Sequence, residues 1–131
     1  MTVRSPEDVA ALLLPRFRGV PRETFTAILL DGANRIIQTV EISRGILNAS
    51  LVHPREVFKP AVDHRAAGIV VVHNHPSGDP RPSAEDEAVT NQLVQAGKIM
   101  GIPVLDHLII GTDRFYSFAQ EGRIKETRHA V

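Results

Sequence analysis

Five consecutive residues, Gly68-Ile69-Val70-Val71-Val72, carry no polar side chain. A strand with one solvated face alternates polar and apolar residues, so a short β-branched run without alternation reads as a strand covered on both faces. That requires a layered α/β domain, and the flanking sequence supplies the layers. Ser5-Pro6-Glu7-Asp8 is a helix start, with Ser5 as N-cap, Pro6 at the first helical position and Asp8 at the capping-box position. Val9, Leu12 and Leu13 form its apolar face, and Pro15 is expected to stop it. Thr24–Leu30 and Arg35–Ile42 read as a hairpin around Asp31-Gly32-Ala33-Asn34. A second helix is expected over Pro54–Ala67, kinked at Pro60 and stopped at Gly68. After the apolar strand, a Gly/Pro-rich loop over His75–Pro82 feeds a helix from Ser83 to about Met100. Val104–Ile110 and Phe115–Phe118 are two more strands, joined through Gly111-Thr112-Asp113. The order α-β-β-α-β-α-β-β predicts a mixed sheet flanked by helices.

A chain of 131 residues is one domain by size, and 43% apolar with 23% charged residues is ordinary for a globular protein. No run approaches the ~20 apolar residues of a membrane-spanning helix. The N-terminus lacks a basic stretch followed by an apolar run, so a cytosolic location is the default expectation. Cysteine is absent, which removes disulfides, thiolate catalysis and cysteine-based zinc sites, leaving His and carboxylates as metal ligands. Fifteen Lys+Arg against fifteen Asp+Glu give zero net charge. This lowers the odds of nucleic-acid binding, which normally shows a basic excess.

The chemistry concentrates in His73-Asn74-His75-Pro76-Ser77-Gly78-Asp79-Pro80-Arg81-Pro82-Ser83-Ala84-Glu85-Asp86, at the C-terminal end of the buried strand, where open α/β sheets place ligands. Residues two apart on an extended chain point the same way, so His73 and His75 can aim at one point. Asp86 lies one turn into the next helix, whose N-terminus the loop can return over the strand end. Two imidazoles and a carboxylate make a three-ligand site with an open fourth position, the way catalytic zinc is usually held. Plainer readings compete. A histidine on a strand is commonly a satisfied core residue, and Ser83-Ala84-Glu85-Asp86 is a capping box in its own right. Zinc and the N-cap amide would then compete for the Asp86 carboxylate. Asp79 is the alternative acid, on a loop. Two decoys drop out: His73-Asn74-His75 only spells the name of HNH nucleases, and zinc deaminases need paired cysteines.

These blocks, with Val52-His53-Pro54-Arg55-Glu56 and Leu105-Asp106-His107, resemble the RadC family, a bacterial branch of the JAMM (MPN-type) metallopeptidases, from about Ser5 to Gly122. The resemblance implies a cytidine-deaminase-like α/β/α sandwich holding Zn²⁺ through His73, His75 and Asp86. It implies Glu23 as the motif glutamate, with Glu41 as rival, acting as general base on a zinc-activated water. Ser83 would donate to the oxyanion. The substrate would be a peptide or isopeptide. A non-catalytic DNA-repair role with a structural or vestigial metal is the alternative that the family's traditional name suggests. A 2-His-1-carboxylate iron site is the third. Members of this family often carry a helix-hairpin-helix module ahead of the metal domain. None is present in these residues, so a short form or an excised domain is expected. His107 is expected to hydrogen-bond the adjacent Asp106. His53 and His64 are expected at helix ends or on the surface, and Arg123–Val131, which includes His129, as a frayed tail.

Overall fold

The computed structural model describes residues 1–45 and 52–124. It contains α1 (Pro6–Phe17), β1 (Thr24–Leu30), β2 (Ile36–Arg44), α2 (Pro54–Asp63), β3 (Gly68–Asn74), α3 (Ala84–Met100), β4 (Val104–Ile110) and β5 (Phe115–Ser117). The five strands form one sheet in the order β2-β1-β3-β4-β5. β1 runs antiparallel to β2 and β3, β3 is parallel to β4, and β4 is antiparallel to β5. This is the mixed, helix-flanked sheet that the element order predicts.

The apolar run lies at the centre of the sheet, and every residue of β3 is buried. Strand alternation divides the core in two. Phe25, Ala27, Leu29, Ile69, Val71 and Ile109 pack with Val57, Phe58, Val89 and Leu93 of α2 and α3. Ile28, Leu30, Val70, Val72, Leu108 and Ile110 pack with Val9, Ala10 and Leu13 of α1. Each fully buried Val, Leu or Ile contributes about 1.5–3 kcal/mol relative to an exposed one, so both faces of β3 are strongly driven inward. Among the described residues no helix is long and apolar enough to cross a membrane.

Four local expectations change. Pro15 does not stop α1, which continues to Phe17; a proline in the last turn deletes a single helical hydrogen bond, to Ala11, with no further turn to disrupt. Ser5 is the N-cap but makes no side-chain cap bond, and the Asp8 carboxylate instead accepts from the Arg4 amide at 2.8 Å. α2 ends at Asp63, and the left-handed residue that turns the chain is Arg65 (φ 54°), while Gly68 already belongs to β3. The tail is packed at its start. Ile124 is buried in the α2/α3 core, the Arg123 amide donates to the Phe118 carbonyl at 2.7 Å, and Arg123 pairs with Glu87. His129 and the rest of the expected tail lie outside the described residues.

Candidate metal centre

Three elements aim three side chains at one place. His73 is the penultimate residue of β3 and faces α3. His75 prolongs the parallel ladder past the strand end, its amide donating to the Ile110 carbonyl at 2.8 Å. Asp86 is the third residue of α3, buried to 1% exposure. One ligand atom from each of the three lies within 4.8 Å of the others. His73 Nε2 is 3.3 Å from Asp86 Oδ1, and His75 Nε2 is 3.1 Å from Asp86 Oδ2. Ligands ~2.0–2.1 Å from a tetrahedral zinc lie roughly 3.3–3.4 Å apart, so these separations match the edges of such a site.

The donors and acceptors explain why a cation fits. His75 Nδ1 is 2.8 Å from the Asp79 carbonyl, which can only accept, so Nδ1 carries the ring proton and the neutral ring's lone pair is on Nε2. His73 Nε2 is buried with no hydrogen-bond partner among the described residues. Asp86 offers lone pairs only. Lone pairs of His75 and Asp86 therefore converge beside a His73 nitrogen that no described group satisfies, and a buried polar group in that state is costly unless a partner joins it. Burial, with the His75 charge nearby and Asp86 opposing, lowers His73 to about 4. The Asp86 hydrogen bond, opposed by burial, raises His75 above its ordinary value. Burial alone would raise Asp86, but hydrogen bonds from His75 and the Ser83 amide together with the charges of His73 and His75 hold it at about 2. His75 can take a second proton and donate it to Asp86, and a cation held there would take that proton's place.

The Asp86 carboxylate serves the helix cap and the histidines at once, with Oδ2 shared between the Ser83 amide and His75. The capping box is complete, with Ser83 Oγ accepting from the Asp86 amide at 3.1 Å and the Ser83 amide donating to Asp86 Oδ2 at 2.7 Å. The carboxylate still presents Oδ1 to His73 and Oδ2 to His75. Asp79 turns away, its carboxylate held by the Arg81 guanidinium at 2.7 and 2.9 Å. Of the two glutamates, Glu23 has its carboxylate 3.8 Å from His73 Nε2, whereas Glu41 is bound to Arg44 at 2.7 Å. Ser83 is exposed beside the site. A small cleft of about 190 Å³, lined by Phe17, Pro21, His75 and Pro76 among others, opens next to His75. A larger groove of about 490 Å³ between α2 and α3 is mainly apolar, with Arg55, Lys59 and Asp63 among its lining residues.

Three residues around the site were not legible as partners. Asn74, between the histidines, alternates to the opposite side. Its Oδ1 accepts from the Thr24 amide at 2.8 Å and the Thr24 hydroxyl at 3.0 Å, while Nδ2 donates to the Arg22 carbonyl at 2.9 Å. The clamp fixes the chain on both sides of Glu23. His107 does not use Asp106 for its ring, because neighbours on a strand face opposite ways. The ring reaches His73 Nδ1 (3.3 Å) through Nε2 and the Thr90 hydroxyl (2.5 Å) through Nδ1. Thr90 lies four residues after Asp86, on the same face of α3, which is the signal that could have found it. Asp106 accepts from the Ser117 hydroxyl at 2.5 Å and from the His107 and Ala119 amides at 2.7 and 2.9 Å. His53 and His64 sit at the two ends of α2, as expected.

The RadC-like JAB domain profile matches residues 3–123. A UPF0758 protein of Methanococcoides burtonii is 55% identical over 122 residues, covering 93% of this chain and 53% of that protein. One of Methanosarcina acetivorans is 51% identical over 121 residues, covering 92% and 53%. One of Geobacter sulfurreducens is 55% identical over 118 residues, covering 90% and 52%. The chain thus spans about half the length of the curated relatives it matches. Its His-His-Asp group fits a JAMM-type metal site, and the chain belongs to the RadC-like JAB domain family.

Proposed function

We propose that this domain is a zinc-dependent hydrolase of peptide or isopeptide bonds. His73, His75 and Asp86 would hold Zn²⁺, Glu23 would be the general base, and Ser83 the oxyanion donor. The observation that carries this reading is the convergence of three groups able to ligate a metal, one of them a buried His73 Nε2 without a hydrogen-bond partner among the described residues. A zinc ion held there supplies Lewis acidity and brings a water's pKa toward ~7. Glu23, 3.8 Å from His73 Nε2 and 27% exposed, can take a proton from the attacking water and return it to the departing amine. The Ser83 oxygen already accepts from the Asp86 amide, which leaves its proton free to meet a carbonyl oxygen as charge develops there. Zero net charge gives no support to a reading based on gripping a phosphate backbone.

Elemental analysis of purified protein and a peptide-library screen with and without chelator test the proposal together. One zinc per chain and chelator-sensitive cleavage are expected. Glu23→Gln should keep the zinc and lose about 10²–10⁴ of the rate, whereas His75→Ala should lose the zinc itself. Stoichiometric zinc in His75→Ala would reject the ligand set, and full turnover in Glu23→Gln would remove that residue from the reaction.

A further inference from the structure

Behind the three ligands runs a chain of buried polar groups whose hydrogens have only one consistent arrangement. The Asp86 main-chain carbonyl is an acceptor and nothing else, and the Thr90 hydroxyl lies 2.6 Å from it. The single hydroxyl proton is therefore spent on that carbonyl, and Thr90 Oγ1 can only accept from its other neighbour. That neighbour is His107 Nδ1, at 2.5 Å, so Nδ1 carries the His107 proton. His107 is fully buried with no carboxylate on its ring, so the ring is uncharged and Nε2 is a lone pair. It faces His73 Nδ1 at 3.3 Å. His73 must then bear its proton on Nδ1, leaving its Nε2 lone pair aimed at Asp86 and the shared ligand point.

We infer that His107 and Thr90 are positioning residues, which fix His73 in the tautomer and orientation that present Nε2 to the metal. This rests on the metal reading of the site and adds to it how one ligand is held. Packing supports the assignment. The His107 ring stacks on Phe118, with centroids 4.9 Å apart and planes 6° apart, and meets Phe25 edge-on at 5.7 Å. Rotation of the ring about its long axis is thereby blocked. The arrangement also closes on itself. Asp86 contributes its carboxylate to the front of the site and its carbonyl to the back, so two ligands are linked behind the ion through Thr90 and His107 as well as through the ion itself. Metal-bound histidines commonly donate the second ring N–H to a carboxylate, carbonyl or water, and loss of that partner typically weakens metal binding 10–100-fold. Here a second, neutral imidazole takes that place.

The test uses Zn²⁺ with a competing chelator on the whole protein and three variants. His107→Leu removes the acceptor at similar bulk, His107→Gln puts an amide oxygen near the Nε2 position, and Thr90→Val removes the hydroxyl with little change of shape. Zinc affinity should fall about 10–100-fold in His107→Leu and recover to within a few-fold of the parent in His107→Gln. Thr90→Val should show an intermediate loss. Nitrogen-15 spectra of the zinc-loaded parent should place the His73 proton on Nδ1 and zinc on Nε2, a readout that general destabilisation would not move. Should His107→Leu not fold, Thr90→Val and the His73 tautomer decide. Parent affinity in a folded His107→Leu or in Thr90→Val, or a His73 proton on Nε2, would overturn the inference. Failure of the parent itself to bind zinc would reject the metal reading instead, so the two failures are distinct.

Discussion

Two buried aspartates lie on opposite faces of the same sheet, and they meet opposite company. Asp106, on the α1 side, receives three donors: a hydroxyl and two backbone amides. Asp86, on the α3 side, accepts from the Ser83 amide but otherwise faces imidazole nitrogens, one of which, His73 Nε2, has no hydrogen-bond partner among the described residues. The first is a closed structural knot that ties β4 to β5 and the turn after it. The second is an open arrangement that could hold a cation. Burial raises Asp106 above the usual carboxylate range despite its donors, whereas Asp86 is held at about 2. Burial and acidity alone do not separate a structural carboxylate from a candidate metal ligand. The balance of donors and acceptors around it does.

Exchanging the two acids should break the comparison most visibly. Asp86→Asn keeps an oxygen for the Ser83 amide, so the protein should fold and lose zinc uptake altogether, as read by elemental analysis. Asp106→Ala should do the reverse. Zinc uptake persists, but three donors lose their acceptor, and denaturant unfolding should report a loss of about 2–4 kcal/mol. Equal zinc loss in both variants would mean that the two sites are not distinct.

A smaller effect is expected from pH in the metal-free protein. His73 and His107 are lowered to about 4 and about 3, chiefly by burial, so between pH 6.5 and 4 the unfolded chain binds more protons than the folded one. Stability should fall as pH drops through that window, by up to about 1.4 kcal/mol per pH unit for each histidine. His75 has the opposite sign. Its raised folded pKa contributes stability that is complete below 6.5 and lost as pH rises through the folded value. Unfolding curves should therefore show greatest stability near pH 6.5. A profile flat from 4 to 6.5 would show that the two rings are not held uncharged. The smallest effect concerns Asn74. Asn74→Ala should unclamp Glu23 and reduce hydrolysis about 10-fold, with zinc content unchanged because Asn74 faces away from the ligands. Zinc loss in that variant would show that the strand end moves as a whole.

How far sequence reasoning reached follows from the range of the physics involved. The convergence of His73, His75 and Asp86 was legible because an i, i+2 pair on a strand and a residue one turn into a helix have nearly fixed directions. The element order was legible for the same reason, since each segment carries its own period and caps. The misreadings are tertiary or marginal. Pro15 was given more stopping power than a last-turn proline has. The end of α2 was assigned to Gly68 when Arg65 makes the turn. His107 was paired with its sequence neighbour, although strand alternation forbids it; its true partners come from β3 and α3. Glu23 could be preferred over Glu41 by resemblance alone, and only the fold brings one of them near His73.

The loop after β3 meets the turn after β4 backbone to backbone. A methyl group on Gly78 (φ 93°) would stand 2.4 Å from the Thr112 hydroxyl, and one on Gly111 would stand 2.3 Å from the Gly78 carbonyl. Gly78 in turn donates its amide to the His75 carbonyl at 2.9 Å. The wall of the site is thus a welded joint rather than a hinged flap. Bulk added at either glycine would be transmitted to an imidazole it never touches.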